Sequence, residues 1–144
     1  MSAQQLPLEG LRVIDLAQVF AGPACTRILA DLGADVIRFE AAARMDVTRN
    51  LIITDNDGMD HHWHRACYFV IRNASKREMA LDLNKDDGRA IFRKLIAGAD
   101  VVVESFTPRV MANFGLGYDA LKAIKPDIIM ISLSGYGQYG TMRD

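Results

Sequence analysis

Residues 11–39, LRVIDLAQVFAGPACTRILADLGADVIRF, change character twice, and those changes restrict the folds open to the chain. Leu11–Leu16 is a run rich in Val and Ile that reads as a buried strand. The small-residue turn Ala21-Gly22-Pro23 follows, and Pro23 fits the first turn of a helix because its missing N–H would be unpaired there in any case. Cys25, Ile28, Leu29 and Leu32 then recur at helical spacing, which predicts one apolar stripe. Gly33 is a natural helix stop, since glycine enters the left-handed region at little cost. Asp35–Phe39 is a second short strand. Strand, helix and strand within about thirty residues match the length of a right-handed parallel crossover.

The pattern recurs downstream. Glu78–Leu83 alternates as a strand, and Asn84 is the candidate N-cap of a helix with Asp86 and Asp87 in its first turn. Ile91, Phe92, Leu95 and Ile96 are the expected buried face of that helix. Asp100–Glu104 (DVVVE) reads as a strand buried on both sides, Arg109–Phe114 and YDALKAI as short helices, and Asp127–Ser134 as the last strand. Near-continuous Val/Ile strands separated by helices predict a Rossmann-like open α/β sheet, mostly parallel, with helices on both faces.

Several functional classes are excluded early. With 17 basic and 18 acidic residues the net charge is −1, which favours neither nucleic acid nor an anionic membrane. Nothing approaches the roughly 18 apolar residues of a membrane span, and MSAQQLPLEG lacks the features of a signal peptide. Cys25 and Cys67 are the two cysteines, and isolated thiols without an export signal predict a reducing, cytoplasmic setting.

Ligands of open parallel sheets gather at the carboxyl ends of the strands. Those ends are Gln18–Pro23, Glu40–Arg44, Glu104–Arg109 and Gly135–Gly140. In the first, small residues and a helix N-terminus favour an anion such as a phosphate, or else simply shape a tight turn. GYGQYG spells G-x-G-x-x-G after a strand, but the sequence stops four residues later, so the helix and distant acid of a dinucleotide site cannot be sought and the motif alone does not establish one. Asp55–His64 packs three acids and three histidines into ten residues. It fails as a calcium loop, because Ile53 and His64 fall at loop positions one and twelve, and it lacks zinc-site spacing, so no metal is expected. Arg72–Glu78 (RNASKRE) is either a phosphate clamp or a solvated charge run.

The blocks LxGLRVIDL, AGPxCxxxLADLGADVIxxE, NxxKRxxxLDL, ADVVVExFxP and SLSGYGQxG, in this order, resemble the N-terminal third of class III CoA-transferases. That family includes formyl-CoA transferase, carnitine CoA-transferase and α-methylacyl-CoA racemase. The likeness covers roughly Leu6–Arg143 and is least typical over Asp46–Arg72. It implies that the turn after the first strand contacts coenzyme A through Gln18, Phe20 and Ala21, with Phe20 where formyl-CoA transferase-like members carry glutamine. It further implies that Asn73, Lys76 and Arg77 face the nucleotide phosphates and that Ser105, Phe106 and Thr107 flank adenine and ribose. Many members carry Arg-Pro-Gly where this chain has Thr107-Pro108-Arg109, and a later arginine where it has Asn113, which makes Arg109 the candidate for the displaced charge. The family's catalytic groups, an aspartate nucleophile in transferases and a His/Asp pair in racemases, are expected beyond Asp144, so no residue of this stretch is expected to be catalytic. The resemblance thus implies the CoA-binding part of a longer subunit that forms an interlocked dimer. Coenzyme A and its acyl thioester are substrates there, beside a carboxylic acid, and no tightly bound cofactor is implied. A racemase of the same family and a non-catalytic CoA-binding module are the alternatives.

Overall fold

The computed structural model describes residues 5–51 and 61–143. Its strands are β1 (Arg12–Asp15), β2 (Asp35–Glu40), β3 (Arg77–Ala80), β4 (Val101–Glu104) and β5 (Ile129–Ser132). They form one sheet in the order β3-β2-β1-β4-β5, and every pairing is parallel. The connecting helices are α1 (Ala21–Asp31), α2 (Cys67–Asn73), α3 (Asp86–Ile96), α4 (Arg109–Asn113) and α5 (Tyr118–Ile124). The Rossmann-like expectation therefore holds. The strand order reverses direction between β1 and β4, which creates a crevice at their carboxyl ends.

The two faces of the sheet differ in chemistry. Ile14 lies in register with Ile37 and Val102, and these three, with Leu16 and Phe39, pack against Phe92 and Ile96 of α3, Met111 of α4 and Leu121 of α5. Each such side chain stabilises the fold by roughly 1.5–3 kcal/mol when fully buried. On the opposite face Val13, Val36, Val101 and Val103 meet Ala17, Ala30 and Ala34. The same alternation places Asp15 and Arg38 on this second face, and both are fully buried.

The stripe expected on α1 is corrected. Its buried residues are Gly22, Pro23, Thr26 and Ala30, while Ile28 is 59% and Leu32 40% exposed. Small residues face the sheet because the helix runs so close to it that a Cβ on Gly22 would lie 2.1 Å from the Ala17 Cβ. Gly33 ends the helix at φ +104°, as expected. In α3, Phe92 and Ile96 are fully buried, but Ile91 points outward and Lys85, not Asn84, is the N-cap. Asn84 instead gives its backbone N–H to the Asp82 carboxylate in the turn before the helix. The third strand is shorter than expected, since Leu81 and Leu83 leave the sheet yet remain in the core. Helix α2 went unassigned because CYFVIRN is aromatic and β-branched, residue types that carry no helical signal of their own.

Asp15 joins these elements. One carboxylate oxygen accepts the Ala17 N–H at 2.9 Å, and the other accepts the Thr26 hydroxyl at 2.6 Å and the Lys76 ammonium at 2.9 Å. Lys76 gives its remaining protons to the Pro23 carbonyl at 2.9 Å and Asn73 Oδ1 at 2.8 Å. Its side chain has no exposed surface, and burial pushes its pKa down against the opposing pull of Asp15. Removing one member of a buried pair strands the other charge. Lys76→Met is therefore expected to cost about 3–5 kcal/mol in urea unfolding. The Asp15→Asn/Lys76→Met double variant should lose less than Lys76→Met alone, and an equal or larger loss would contradict the pairing.

Candidate functional site

A cleft of about 570 Å³ opens along the carboxyl edge of the sheet. All five strands contribute to it through the residues that follow them. Leu16 and Gln18–Gly22 come after β1, Phe39–Ala41 and Arg44 from the end of β2, Leu81–Asn84 after β3, Ser105–Thr107 with Val110 and Phe114 after β4, and Leu133 after β5. The floor is apolar, built from Leu16, Phe39, Leu81, Leu83 and Phe106, and the rim carries Glu40, Arg44 and Asp82. An apolar hollow with a few polar groups at its mouth is the usual form of a small-molecule site.

Two tethers shape the β1–α1 loop. Gln18 donates its N–H to the Ser105 hydroxyl at 2.9 Å, which closes the crevice between β1 and β4. Val19 donates its N–H to Asp46 Oδ2 at 3.1 Å and sits at φ +69°, a left-handed conformation that a β-branched residue adopts only under constraint. Asp46 is itself fixed, because it takes an ion pair from Arg38 at 3.0 Å and accepts the Thr48 N–H and hydroxyl at 2.9 and 2.7 Å.

Arg38 belongs to a larger buried cluster. It also pairs with Glu40 and Glu78, each at 3.0 Å, and Arg49 pairs with the same two acids at 2.7 and 3.0 Å. The Phe69 ring lies under both guanidiniums, 4.8 Å from Arg38 and 3.6 Å from Arg49. Burial alone would raise the Glu40 carboxyl, but the Arg49 hydrogen bonds, the Asp46 N–H and the Arg38 charge outweigh it and hold the pKa below its ordinary value. This cluster was not legible in the sequence, since its members are scattered over residues 38–78 and meet through the register of β2 with β3 and the return of the segment after β2.

The structure brings together Gln18, Phe20, Ala21, Ser105, Phe106 and Thr107 in the cleft wall. It does not bring Asn73, Lys76, Arg77 or Arg109 there. Asn73 and Lys76 bond each other and lie beneath α1, and Asn73 donates to the Phe69 carbonyl at 3.0 Å. Arg77 pairs with Asp35 at 2.8 Å where β2 begins, away from the carboxyl edge. Arg109 is exposed in the first turn of α4. Leu81–Asn84 was missed as a cleft segment, although its place directly after a strand is the same signal that marks the others. Of the histidine-rich stretch, Asp55–Asp60 lies outside the described residues, and His62–His64 forms one 3-10 turn with the His62 ring 3.1 Å from Asn50 Oδ1. Among the described residues no group of three or more His, Cys, Asp or Glu is placed to hold a metal ion.

Residues 8–144 match the family model described as CoA-transferase family III. The chain belongs to this family. It is 39% identical over its whole length to a succinate–glutarate CoA-transferase of Agrobacterium fabrum, covering 36% of that protein. It is 39% identical over 94% of its length to the succinyl-CoA:glutarate CoA-transferase of Mus musculus, covering 30% of it. A crystal structure of a CAIB/BAIF family protein from Brucella suis superposes with a TM-score of 0.84 at 38% identity, covering 97% of this chain and 36% of that one. The chain thus spans about a third of the length of the CoA-transferase family III proteins it matches.

In this member of CoA-transferase family III the strain at Val19 is directly testable. Val19→Gly should stabilise the protein by about 1 kcal/mol in urea unfolding, because glycine enters the left-handed region freely. Val19→Ala should not, since its Cβ carries the same penalty. A destabilising Val19→Gly would show that the loop is unstrained.

Proposed function

We propose that this chain forms the CoA-binding part of a transferase that moves coenzyme A between the thioester of a dicarboxylic acid and a free carboxylic acid. The observation that carries the reading is the cleft, which is assembled from all five strand ends at the point where the strand order reverses. The named activities of the Agrobacterium and mouse relatives support the transfer reaction and the dicarboxylic substrates. In this reading Gln18, Phe20 and Ala21 contact the coenzyme, and Ser105, Phe106 and Thr107 flank its nucleotide. The apolar floor accepts the adenine, and Arg44 supplies the positive charge for a phosphate. Lys76 acts from below, by holding Asp15 and the first turn of α1, and not by touching the ligand. The residues that carry out the acyl exchange lie outside this stretch.

Coenzyme A is here a substrate, and no tightly bound cofactor is required. We further propose a cytoplasmic setting, in keeping with two cysteines that remain free thiols. A dimer is the proposed working form. Its support is the apolar surface that Ile28 and Leu32 of α1 and Val70 and Ile71 of α2 leave exposed. A Chloroflexus aurantiacus relative at 38% identity is named as the β subunit of a succinyl-CoA–L-malate CoA-transferase, which supports an assembly of more than one chain. No helix of the described residues is long and apolar enough to cross a membrane.

Calorimetric titration of the intact protein with coenzyme A tests the site. Arg44→Ala should weaken binding by about 1.5–3 kcal/mol, the usual value of a hydrogen bond to a charged group. Unchanged affinity would remove Arg44 from the site, and a wild-type protein that binds no coenzyme A would overturn the reading.

A further inference from the structure

Among the described residues Arg72, in the last turn of α2, has no anionic partner. Its guanidinium carbon lies 4.2 Å from the centre of the Phe20 ring and 5.0 Å from that of Tyr68, two rings that themselves pack at 6.3 Å. It makes no hydrogen bond or ion pair among the described residues, and its Nε is buried with no partner. Arg38 and Arg49, which meet the Phe69 ring of the same helix, are by contrast each paired with two or more carboxylates. Proteins rarely leave a buried N–H unmet. Arg38 Nε is buried and unmet as well, but that guanidinium has three carboxylate partners, whereas Arg72 has none among the described residues.

The position of Arg72 indicates which ligand. Phe20 is its stacking partner and also part of the cleft wall, half-exposed at the N-cap of α1. The Arg72 charge therefore stands at the edge of the cleft, behind one aromatic side chain. Arg44, the cation in the cleft wall, follows β2 and is exposed, as suits a hydrated phosphate. Arg72 instead sits half-buried beside two aromatic rings. A guanidinium is a planar fork of N–H donors, and the pair at its free end matches the two oxygens of a carboxylate.

We propose that Arg72, framed by Phe20 and Tyr68, binds the second carboxylate of a dicarboxylic acyl group. The inference rests on the proposed transferase function and deepens it, because it assigns the choice of dicarboxylic over monocarboxylic thioesters to a residue. The carboxylate enters as an ion and forms no covalent bond there. The guanidinium stays protonated throughout, so the preference does not titrate near neutral pH.

The test compares glutaryl-CoA with valeryl-CoA, thioesters of equal chain length that differ in a terminal carboxylate against a methyl group. Dissociation constants are measured on the intact protein for wild type, Arg72→Gln and Arg72→Lys, with melting curves for each. Wild type should bind glutaryl-CoA about 10-fold more tightly than valeryl-CoA, as a charge-assisted bidentate pair provides. Arg72→Gln should abolish that preference while leaving valeryl-CoA within roughly 2-fold of wild type, and Arg72→Lys, a charge without the fork, should retain part of it. Equal losses for both thioesters, or an undiminished preference in Arg72→Gln, would overturn the assignment. Wild type that binds both thioesters without preference overturns it alone, whereas wild type that binds neither overturns the transferase reading and this inference with it. If Arg72→Gln does not fold, Arg72→Lys decides: full retention of the preference contradicts the bidentate contact, and partial loss supports it.

Discussion

Asp15 ends β1 with a carboxylate that has no exposed surface, and the geometry of the carboxyl edge depends on how that charge is satisfied. Its bond to the Ala17 N–H turns the chain out of the strand, its bond to Thr26 draws α1 onto the sheet, and its pair with Lys76 fastens the segment after α2. Close approach of α1 then requires small residues on its inner face, which is why Gly22, Thr26 and Ala30 are buried and Ile28 is not. The N-terminus of α1 is thereby held at the cleft, where Phe20, Ala21 and Gly22 line the wall.

A division of labour between the two sheet faces follows. The α3 side is apolar except for Glu104 at the end of β4, and supplies the core and the cleft floor. The α1–α2 side carries Asp15, Arg38, Asp46 and Arg49, buried charges whose partners come from β2, β3, the segment after β2 and Lys76 just before β3. Such networks add little net stability but fix one arrangement, because any displaced member leaves a charge unpaired in a dry site. Here the fixed arrangement is a strained loop, with Val19 held by Asp46 and Gln18 by Ser105. Against this ordered background Arg72 has, among the described residues, aromatic neighbours but no carboxylate partner.

Four strands were readable from local sequence because they are rich in Val and Ile, β3 was read from alternation and came out shorter, and Gly33 marked the end of α1 through its backbone alone. The cleft residues of the β1 and β4 loops were likewise readable, since a loop after a strand in such a sheet lines the crevice whatever its composition. The side of α1 that faces the sheet was not, because hydrophobicity identified Ile28 and Leu32 while the deciding factor was interhelical and helix–sheet distance. Lys76 and Arg77 illustrate the same limit. A basic block reads as a phosphate clamp on charge alone, but the pairing of β2 with β3 puts Arg77 beside Asp35, and burial hands Lys76 to Asp15. Charge partners distant in sequence are set by register, which no single segment encodes.

In the proposed reading coenzyme A occupies the carboxyl-edge cleft while the basic block supports it from within the fold. Hydrogen–deuterium exchange of the intact protein with and without coenzyme A tests this most directly. Binding should slow exchange in residues 18–22, 81–84 and 105–107 and leave the amides of residues 73–77 unchanged. Protection centred on residues 73–77, with the three cleft segments exchanging as before, would contradict it.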